Sequence, residues 1–193
     1  MSSVTPRNLL IIKTDEQRFD TIAALGHSVV KTPNLDRLHA QSVCFDNAFT
    51  VSPLCVPSRT SFFTGNYPHV NKAAYNHPWD HLSLDQCGLL RRLKDAGCRI
   101  GLAGKNHTFQ EEVFEALFDY RQQTGHWGKE VGTITDADRA VADYLHADPR
   151  PEYAGSFAML EGLIDRPMPF DETVCPAHRI GDDAITFLRD AGR

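Results

Sequence analysis

The sequence contains no run of basic residues, and its formal net charge at pH 7 is −5. Binding to nucleic acid therefore has no electrostatic support. Long apolar runs are also missing, since the stretch at residues 8–12 is far shorter than the roughly 20 residues of a membrane-spanning helix. It is also too short for the core of a signal peptide. We expect a cytoplasmic protein that has neither nucleic acid nor membrane as a partner.

Cysteine pairing motifs are missing as well. The five cysteines are an odd number, and no two of them form a C-x-x-C pair. This pattern argues against a disulfide framework and against a structural zinc site, so we expect most of the thiols to be buried. The chain also lacks internal repeats and low-complexity linkers. With 193 residues, 41% of them hydrophobic, it can bury a core, and we expect residues 1–193 to form a single domain.

The most informative stretch of the chain is residues 53–65, which contains Cys55 just ahead of Pro57. Proline is tolerated in the first turn of a helix, so the pattern predicts a helix that begins near Cys55. Backbone N–H groups and the positive end of the helix dipole gather there and favour anions. Arg59 follows one turn later and can point back to the same place. The stretch indicates an anion-transfer site with Cys55 as nucleophile; the alternative is a structural cysteine in a helix cap.

Acidic residues follow the apolar stretch at residues 8–12, which we interpret as a buried strand of a mainly parallel sheet. Asp15 and Glu16 would then lie at the carboxyl end of this strand, where ligands bind in open α/β sheets. Two adjacent carboxylates favour a hard cation such as Ca²⁺, Mg²⁺ or Mn²⁺ over zinc. The alternative is a solvated acidic loop.

A second polar pair follows the next predicted strand, residues 98–103. In an extended chain, Lys105 and His107 lie on the same side, so an ammonium and an imidazole can face one ligand together. A surface lysine and a core histidine are the separate alternatives. The histidines at 69, 77 and 81 either line a pocket with Trp79 or lie in a surface loop, and their irregular spacing favours the loop.

Four stretches of the sequence resemble those of the formylglycine-dependent sulfatases. Residues 55–59 read C-x-P-S-R, and residues 64–68 read T-G-x-Y-P. Residues 104–107 resemble the G-K-W-H block of this family, with Asn106 in place of the usual tryptophan. Asp15 and Glu16 match its paired metal-binding acids, although the second acid is frequently Asp. The resemblance covers about residues 8 to 107.

This resemblance implies an alkaline-phosphatase-like α/β fold, with a mainly parallel sheet and helices on both faces. It implies that a formylglycine-generating enzyme oxidises Cys55 to formylglycine, which attacks a small sulfate ester. Arg59, Lys105 and His107 would be the other catalytic residues. Asp15, Glu16 and the converted Cys55 would bind a divalent cation, for which Ca²⁺ is favoured over Mn²⁺ and Mg²⁺.

Two other functions remain open. Related enzymes use the same parts on phosphorus, so the substrate class could instead be a phosphonate or phosphate ester. A non-catalytic, truncated sulfatase-like protein is the second alternative, because later family segments with further metal ligands and a leaving-group acid are not in this sequence. We therefore expect a catalytic domain that is incomplete at its C-terminus and has little activity alone. The oligomeric state stays open.

The remaining patterns concern the scaffold. Periodicity and capping signals predict four further helices and one further strand. The aromatic residues between 108 and 121 show no clear period and are interpreted as an insertion that covers the site. The predicted helices are residues 32–40, 83–97, 135–145 and 178–190, and the strand is residues 43–49.

Overall fold

A computed structural model describes residues 8–15, 17–123, 171, 173 and 176–191. Glu16, Cys175, most of the segment at 148–176 and the predicted helix at 135–145 lie outside these residues. The chain divides into two compact units, Met1–Thr50 and Val51–Arg193. Each unit is considered by itself, and the single domain expected over residues 1–193 stays a prediction.

The first unit is built from short helical pieces. Two 3₁₀ turns, Phe19–Thr21 and Ala23–Leu25, precede helix α1, Pro33–His39. Pro33 occupies the first helical position, which confirms the helix predicted at 32–40. The Thr32 hydroxyl donates to a carboxylate oxygen of Asp36 over 2.8 Å, and that oxygen accepts the Ala24 N–H over 2.9 Å. These bonds attach the second 3₁₀ turn to the start of α1.

The two strands predicted in this unit are absent from its described residues. Residues 8–12 and 43–49 form neither strand nor bridge. Leu9 and Ile12 are 68% and 76% exposed, so the apolar stretch is not buried. A strand needs a neighbouring strand to take its N–H and C=O groups, and the described part of this unit offers none. Hydrophobicity alone was therefore an insufficient basis for predicting these strands.

The second unit contains the larger set of helices and the only sheet among the described residues. Two parallel strands, β1 (Gly101–Gly104) and β2 (Tyr120–Gln123), pair with Gly101 opposite Tyr120 and Gly104 opposite Gln123. Short 3₁₀ turns occupy Pro78–Asp80 and Leu84–Gln86. The regular elements are α2 (Cys55–Thr64), α3 (Pro68–Asn71), α4 (Gly88–Asp95), β1 (Gly101–Gly104), α5 (Glu111–Leu117), β2 (Tyr120–Gln123) and α6 (Pro176–Ala191).

Most predictions for this unit are confirmed, with shifted boundaries. The strand predicted at 98–103 is β1, and the last helix is α6. The helix predicted at 83–97 is divided at Cys87, whose ψ of 46° interrupts the helical conformation. No helix in the described part of the chain is long and apolar enough to span a bilayer.

A cluster of buried side chains forms the core of the second unit. The interpretation of the aromatic residues at 108–121 as a cover for the site was wrong, because Phe109 and Phe114 are buried here. Val113, Phe114 and Leu117 lie on one face of α5 and are its buried residues, and Phe109 joins them from the extended segment before the helix. The cluster consists of Leu82, Cys87, Leu90, Ile100, Phe109, Val113, Phe114 and Leu117.

Helix α6 packs closely against β1 through two glycines. A Cβ atom at Gly101 would lie 2.7 Å from the Phe187 ring, and one at Gly104 would lie 3.2 Å from Ile180. Gly104 also has a φ of 101°, a conformation that other residues rarely adopt. This contact holds the end of β1, from which the chain continues to Lys105.

Candidate active site

Helix α2 begins where the sequence predicts. Leu54 is extended, with φ −107° and ψ 149°, and Cys55 is the first helical residue. The Ser58 N–H donates to the Leu54 carbonyl over 3.0 Å and closes the first turn. Gly65 ends the helix with a φ of 71°, a conformation that glycine adopts without a Cβ clash. Cys55, which is half-buried, therefore lies at the positive end of a ten-residue helix.

The N–H groups of this first turn contribute less to anion binding than the helix start suggested. Pro57 has no N–H, and the N–H of Ser58 is used within the helix. The N–H of Val56 donates to the side-chain oxygen of Asn76 over 2.9 Å. Positive charge at this helix end must therefore come mainly from side chains.

Two cationic side chains supply that charge. The Lys105 ammonium lies 3.6 Å from the Cys55 sulfur. Arg59, only 8% exposed, lies one turn after Cys55, and its Nη1 is 3.5 Å from the Lys105 carbonyl oxygen. Cys55, Arg59 and Lys105 therefore lie together in the structure, and their catalytic roles stay predictions. Local positive charge is what an anionic substrate needs here.

His107 follows Lys105 in a tight turn. Its φ of 42° is unusual for a residue with a side chain. The Asn106 side chain makes the turn possible, because its oxygen accepts the N–H groups of Thr108 and Phe109 over 3.1 and 2.9 Å. Its amide nitrogen donates to the Phe109 carbonyl over 2.8 Å. Asn106, which replaces the tryptophan of the G-K-W-H block, thus has a structural role of its own.

Two residues of this region were missed as neighbours of the site. The His81 ring lies 5.9 Å from the His107 ring, centroid to centroid. Their segments are joined where Leu82 donates to the Thr108 carbonyl over 2.7 Å and accepts from Gln110 over 3.0 Å. Asn76 was the second omission. The backbone bonds of Leu82 and the Asn76 contact join segments that are distant in sequence, so no local pattern indicates them.

The other histidines predicted in this region, His69 and His77, are exposed. His77 stacks on Trp79 with ring centroids 4.3 Å apart, and His69 stacks on Tyr67 at 5.8 Å. Trp79 is 73% exposed, so these rings do not line a closed pocket. The preferred loop interpretation is confirmed for His77, whereas His69 lies on the short helix α3.

The metal-ligand prediction is not tested by the described residues. Asp15 is an exposed residue of the first unit, and Glu16 lies outside the description. Among the described residues, no group of three or more His, Cys, Asp or Glu side chains is arranged to hold a metal ion. The carboxylate of Asp15 has the donor chemistry that hard cations prefer, but it is one ligand of the several that they require.

The expectation that most thiols are buried is wrong for the described cysteines. Cys44 is exposed and Cys98 is half-buried, while Cys87 lies in the core. Burial raises the pKa of the Cys87 thiol to about 11, because the thiolate loses its hydration there. Cys87 is therefore a packing residue, in contrast to Cys55 beside an ammonium group.

These contacts define a cationic site built around a cysteine at a helix start, next to the end of a parallel strand. A family model for sulfatases matches residues 7–147 of the chain. The match covers well over half of the sequence, and the chain belongs to the sulfatase family. Membership implies the alkaline-phosphatase-like fold, and the small parallel sheet with its helices is consistent with it.

Individual relatives carry the same family description. Human N-sulphoglucosamine sulphohydrolase is 35% identical over 76% of this chain and 30% of its own length. An uncharacterised sulfatase of Escherichia coli K12 is 30% identical over 96% of this chain and 35% of its own. An arylsulfatase of Clostridium perfringens is 25% identical over 94% of this chain and 39% of its own.

The chain therefore spans about a third of the length of these curated relatives, between 30% and 39%. No solved structure matches it significantly.

Proposed function

We propose that this chain contributes the nucleophile and anion-binding groups for hydrolysis of a small sulfate ester. The observation that carries the proposal is the 3.6 Å contact between the Lys105 ammonium and the Cys55 sulfur. A lysine held against a cysteine at a helix start suits a reaction in which negative charge develops at that position. Membership in the sulfatase family supports sulfate as the anion.

The nucleophile in this proposal is formylglycine formed from Cys55 by a formylglycine-generating enzyme. One hydroxyl of its hydrate would attack sulfur and displace the alcohol, whose S–O bond breaks. The other hydroxyl would then lose its proton, expel sulfate and become the aldehyde oxygen, and water would re-form the hydrate. In the unconverted chain, the Cys55 sulfur stands in for the oxygen atoms of that hydrate. Lys105 would stabilise the attacking oxygen and the transferred anion.

Arg59 and His107 complete the proposed set. Arg59 is buried and lies against the Lys105 carbonyl, so its charge adds to the positive potential at the helix start without occupying the position of the nucleophile. His107 follows two residues after Lys105 and would orient the anion or exchange a proton with it. The rigid turn built by Asn106 holds its backbone.

A divalent cation is part of the proposal. Asp15 and Glu16 would supply carboxylate ligands, and Ca²⁺ fits their oxygen chemistry, with Mn²⁺ and Mg²⁺ as alternatives. Such an ion would supply positive charge that offsets the charge of the transferred group. Since Ca²⁺ takes about six to eight oxygen ligands, two acids alone would bind it weakly.

The test begins with conversion of the cysteine. We expect that co-expression with an active formylglycine-generating enzyme converts Cys55 but not Cys98, as measured by peptide mass spectrometry. The converted chain is then assayed with an activated aryl sulfate and with the matching aryl phosphate, in the presence of Ca²⁺. We expect slow sulfate turnover that Cys55→Ala abolishes and Cys98→Ala leaves unchanged.

Three results would contradict the proposal. Recovery of only the thiol at Cys55, while a control substrate of the same converting enzyme is modified, would remove the nucleophile. Turnover that survives Cys55→Ala would place the chemistry elsewhere. Faster hydrolysis of the phosphate ester than of the sulfate ester would assign the site to phosphorus chemistry.

A further inference from the structure

An N–H group in the first turn of helix α2 donates to a side chain from another segment of the chain. Leu54, at the N-cap position, has an apolar side chain and cannot accept a bond from the first turn. The acceptor comes instead from Asn76, twenty residues later, whose side-chain oxygen takes the Val56 N–H over 2.9 Å. Asn76 thus performs the task of an N-cap residue from outside the helix.

A second asparagine attaches the same segment further along the helix. Asn71 is buried, and its amide nitrogen lies 3.4 Å from the hydroxyls of both Thr60 and Ser61. Its oxygen accepts the Ala73 N–H over 3.0 Å. The segment that leads to Asn76 is therefore held against α2 one turn after the start, and the Asn76 contact continues this attachment to the residue beside Cys55.

The loop that contains Asn76 is also closed on itself. The Tyr75 N–H donates to the Asp80 carboxylate over 3.1 Å, and the Asp80 N–H donates to the His77 carbonyl over 2.9 Å. These bonds bracket Asn76 on both sides in sequence. A side chain held in this way can fix the first turn of α2 at little additional cost in conformational entropy.

We propose that Asn76 is a positioning residue for the nucleophile at position 55. By holding the Val56 N–H, it keeps the first turn of α2 formed and residue 55 next to the Lys105 ammonium. It also removes one backbone donor from the helix end, so that the lysine rather than the peptide N–H faces the nucleophile. The link to catalysis rests on the function proposed above, whereas the structural part does not.

The experiment compares Asn76→Ala, Asn76→Asp and the matched control Asn66→Ala in the unconverted chain. Asn66 is an exposed asparagine beyond the other end of α2. Amide hydrogen exchange, resolved to single residues, is measured at Val56 and at Phe62–Thr64. We expect exchange at Val56 to be about fivefold faster in Asn76→Ala, the size of a typical cap loss.

The other amides and variants make this result specific. Exchange at Phe62–Thr64 should stay at the wild-type rate, because those N–H groups bond within the helix. Asn76→Asp keeps the acceptor and should restore the Val56 rate to within about twofold of wild type, and Asn66→Ala should not change it. An unchanged Val56 rate in Asn76→Ala, or equal acceleration throughout α2, would overturn the proposal.

Turnover of the converted chain tests the catalytic part separately. Asn76→Ala should lower kcat about tenfold or more with little change in KM, because a misplaced nucleophile affects the reaction more than binding. Asn66→Ala should leave both constants unchanged. An unaltered kcat in Asn76→Ala would overturn the positioning role. If wild type itself shows no turnover, the slow activity expected of this chain alone fails, while the exchange rates still decide whether Asn76 holds the helix start.

Discussion

The two units of the chain differ in how their apolar residues are used. In the second unit, Leu82, Val113 and the residues around them are nearly inaccessible to solvent. In the first unit, none of the described residues is buried, and apolar side chains such as Leu9 and Ile12 face solvent. Cys55, Arg59 and Lys105 belong to the packed unit. Their arrangement has a core behind it, which the acidic residue Asp15 of the first unit does not have.

Truncating a core residue should have the largest effect on stability and should show the difference between the two units most clearly. Leu82 is 1% exposed, and Leu82→Ala should destabilise the second unit by about 3 kcal/mol, because it removes apolar burial and leaves a cavity. Leu9→Ala in the first unit should change stability by less than about 0.5 kcal/mol. Urea unfolding followed by circular dichroism measures both. Equal losses for the two variants would contradict the difference between the units.

A smaller loss is expected at the contact between β1 and α6. In Gly101→Ala the new methyl group would lie 2.7 Å from the Phe187 ring, and such overpacking costs about 1–3 kcal/mol. Gly88→Ala is the matched control, since no atom lies within 4 Å of a Cβ atom at that position. Thermal unfolding should show the loss for Gly101→Ala alone. Adding Phe187→Leu should recover part of it, and failure to do so would argue against this contact.

The acid sensitivity of the second unit should depend on Asp119. Its carboxylate accepts the Lys94 ammonium over 2.6 Å and the Ile100 N–H over 2.8 Å. The bond from Lys94 is the main reason that the pKa of Asp119 lies below its usual value.

Because the pKa of Asp119 is depressed in the folded state, its ionised carboxylate stabilises the fold fully at pH values above the unfolded pKa, about 3.9. This stabilisation is lost as the pH falls through the folded pKa. Asp119→Asn should therefore lower stability by about 1 kcal/mol at neutral pH and by progressively less as the pH falls below the unfolded pKa of about 3.9. Urea midpoints across this pH range measure the change. A constant difference between variant and wild type would show that the charge of Asp119 is not involved.

The last test compares the labelling rates of one cysteine from each unit and requires no mutation. Cys44 of the first unit is exposed, whereas Cys87 is buried and has a pKa of about 11. At pH 8 the thiolate fraction of Cys87 is on the order of 10⁻³, and we expect iodoacetamide to label Cys44 at least about tenfold faster. Peptide mass spectrometry follows each site. Similar rates at both cysteines would show that the core opens readily.

The candidate site was predictable to the extent that it depends on local patterns. Pro57 and Gly65 indicate where α2 begins and ends, and Arg59 lies one turn from Cys55 in any helix with that start. The strand at 101–104 is an apolar run between glycines, and Lys105 follows it at once. These features involve residues within a few positions of each other, so steric limits and helical periodicity are enough to indicate them.

The periodicity around α5 shows a limit of that approach. Val113, Phe114 and Leu117 have the spacing of one helix face, but the neighbouring aromatic residues concealed this pattern, and the segment was interpreted as a cover rather than core. The strands expected at 8–12 and 43–49 show another limit. Apolar composition does not supply a hydrogen-bonding neighbour, and without one a strand is not formed.

The sequence by itself determined the position of Cys55 on a helix start, of Arg59 one turn later and of Lys105 after a strand. Only the tertiary structure placed the Lys105 ammonium against the Cys55 sulfur and gave the Val56 N–H to Asn76. These contacts join residues 50 and 20 positions apart. Such contacts depend on how helices and strands pack, and neither the periodicity of one segment nor its capping residues specify that packing.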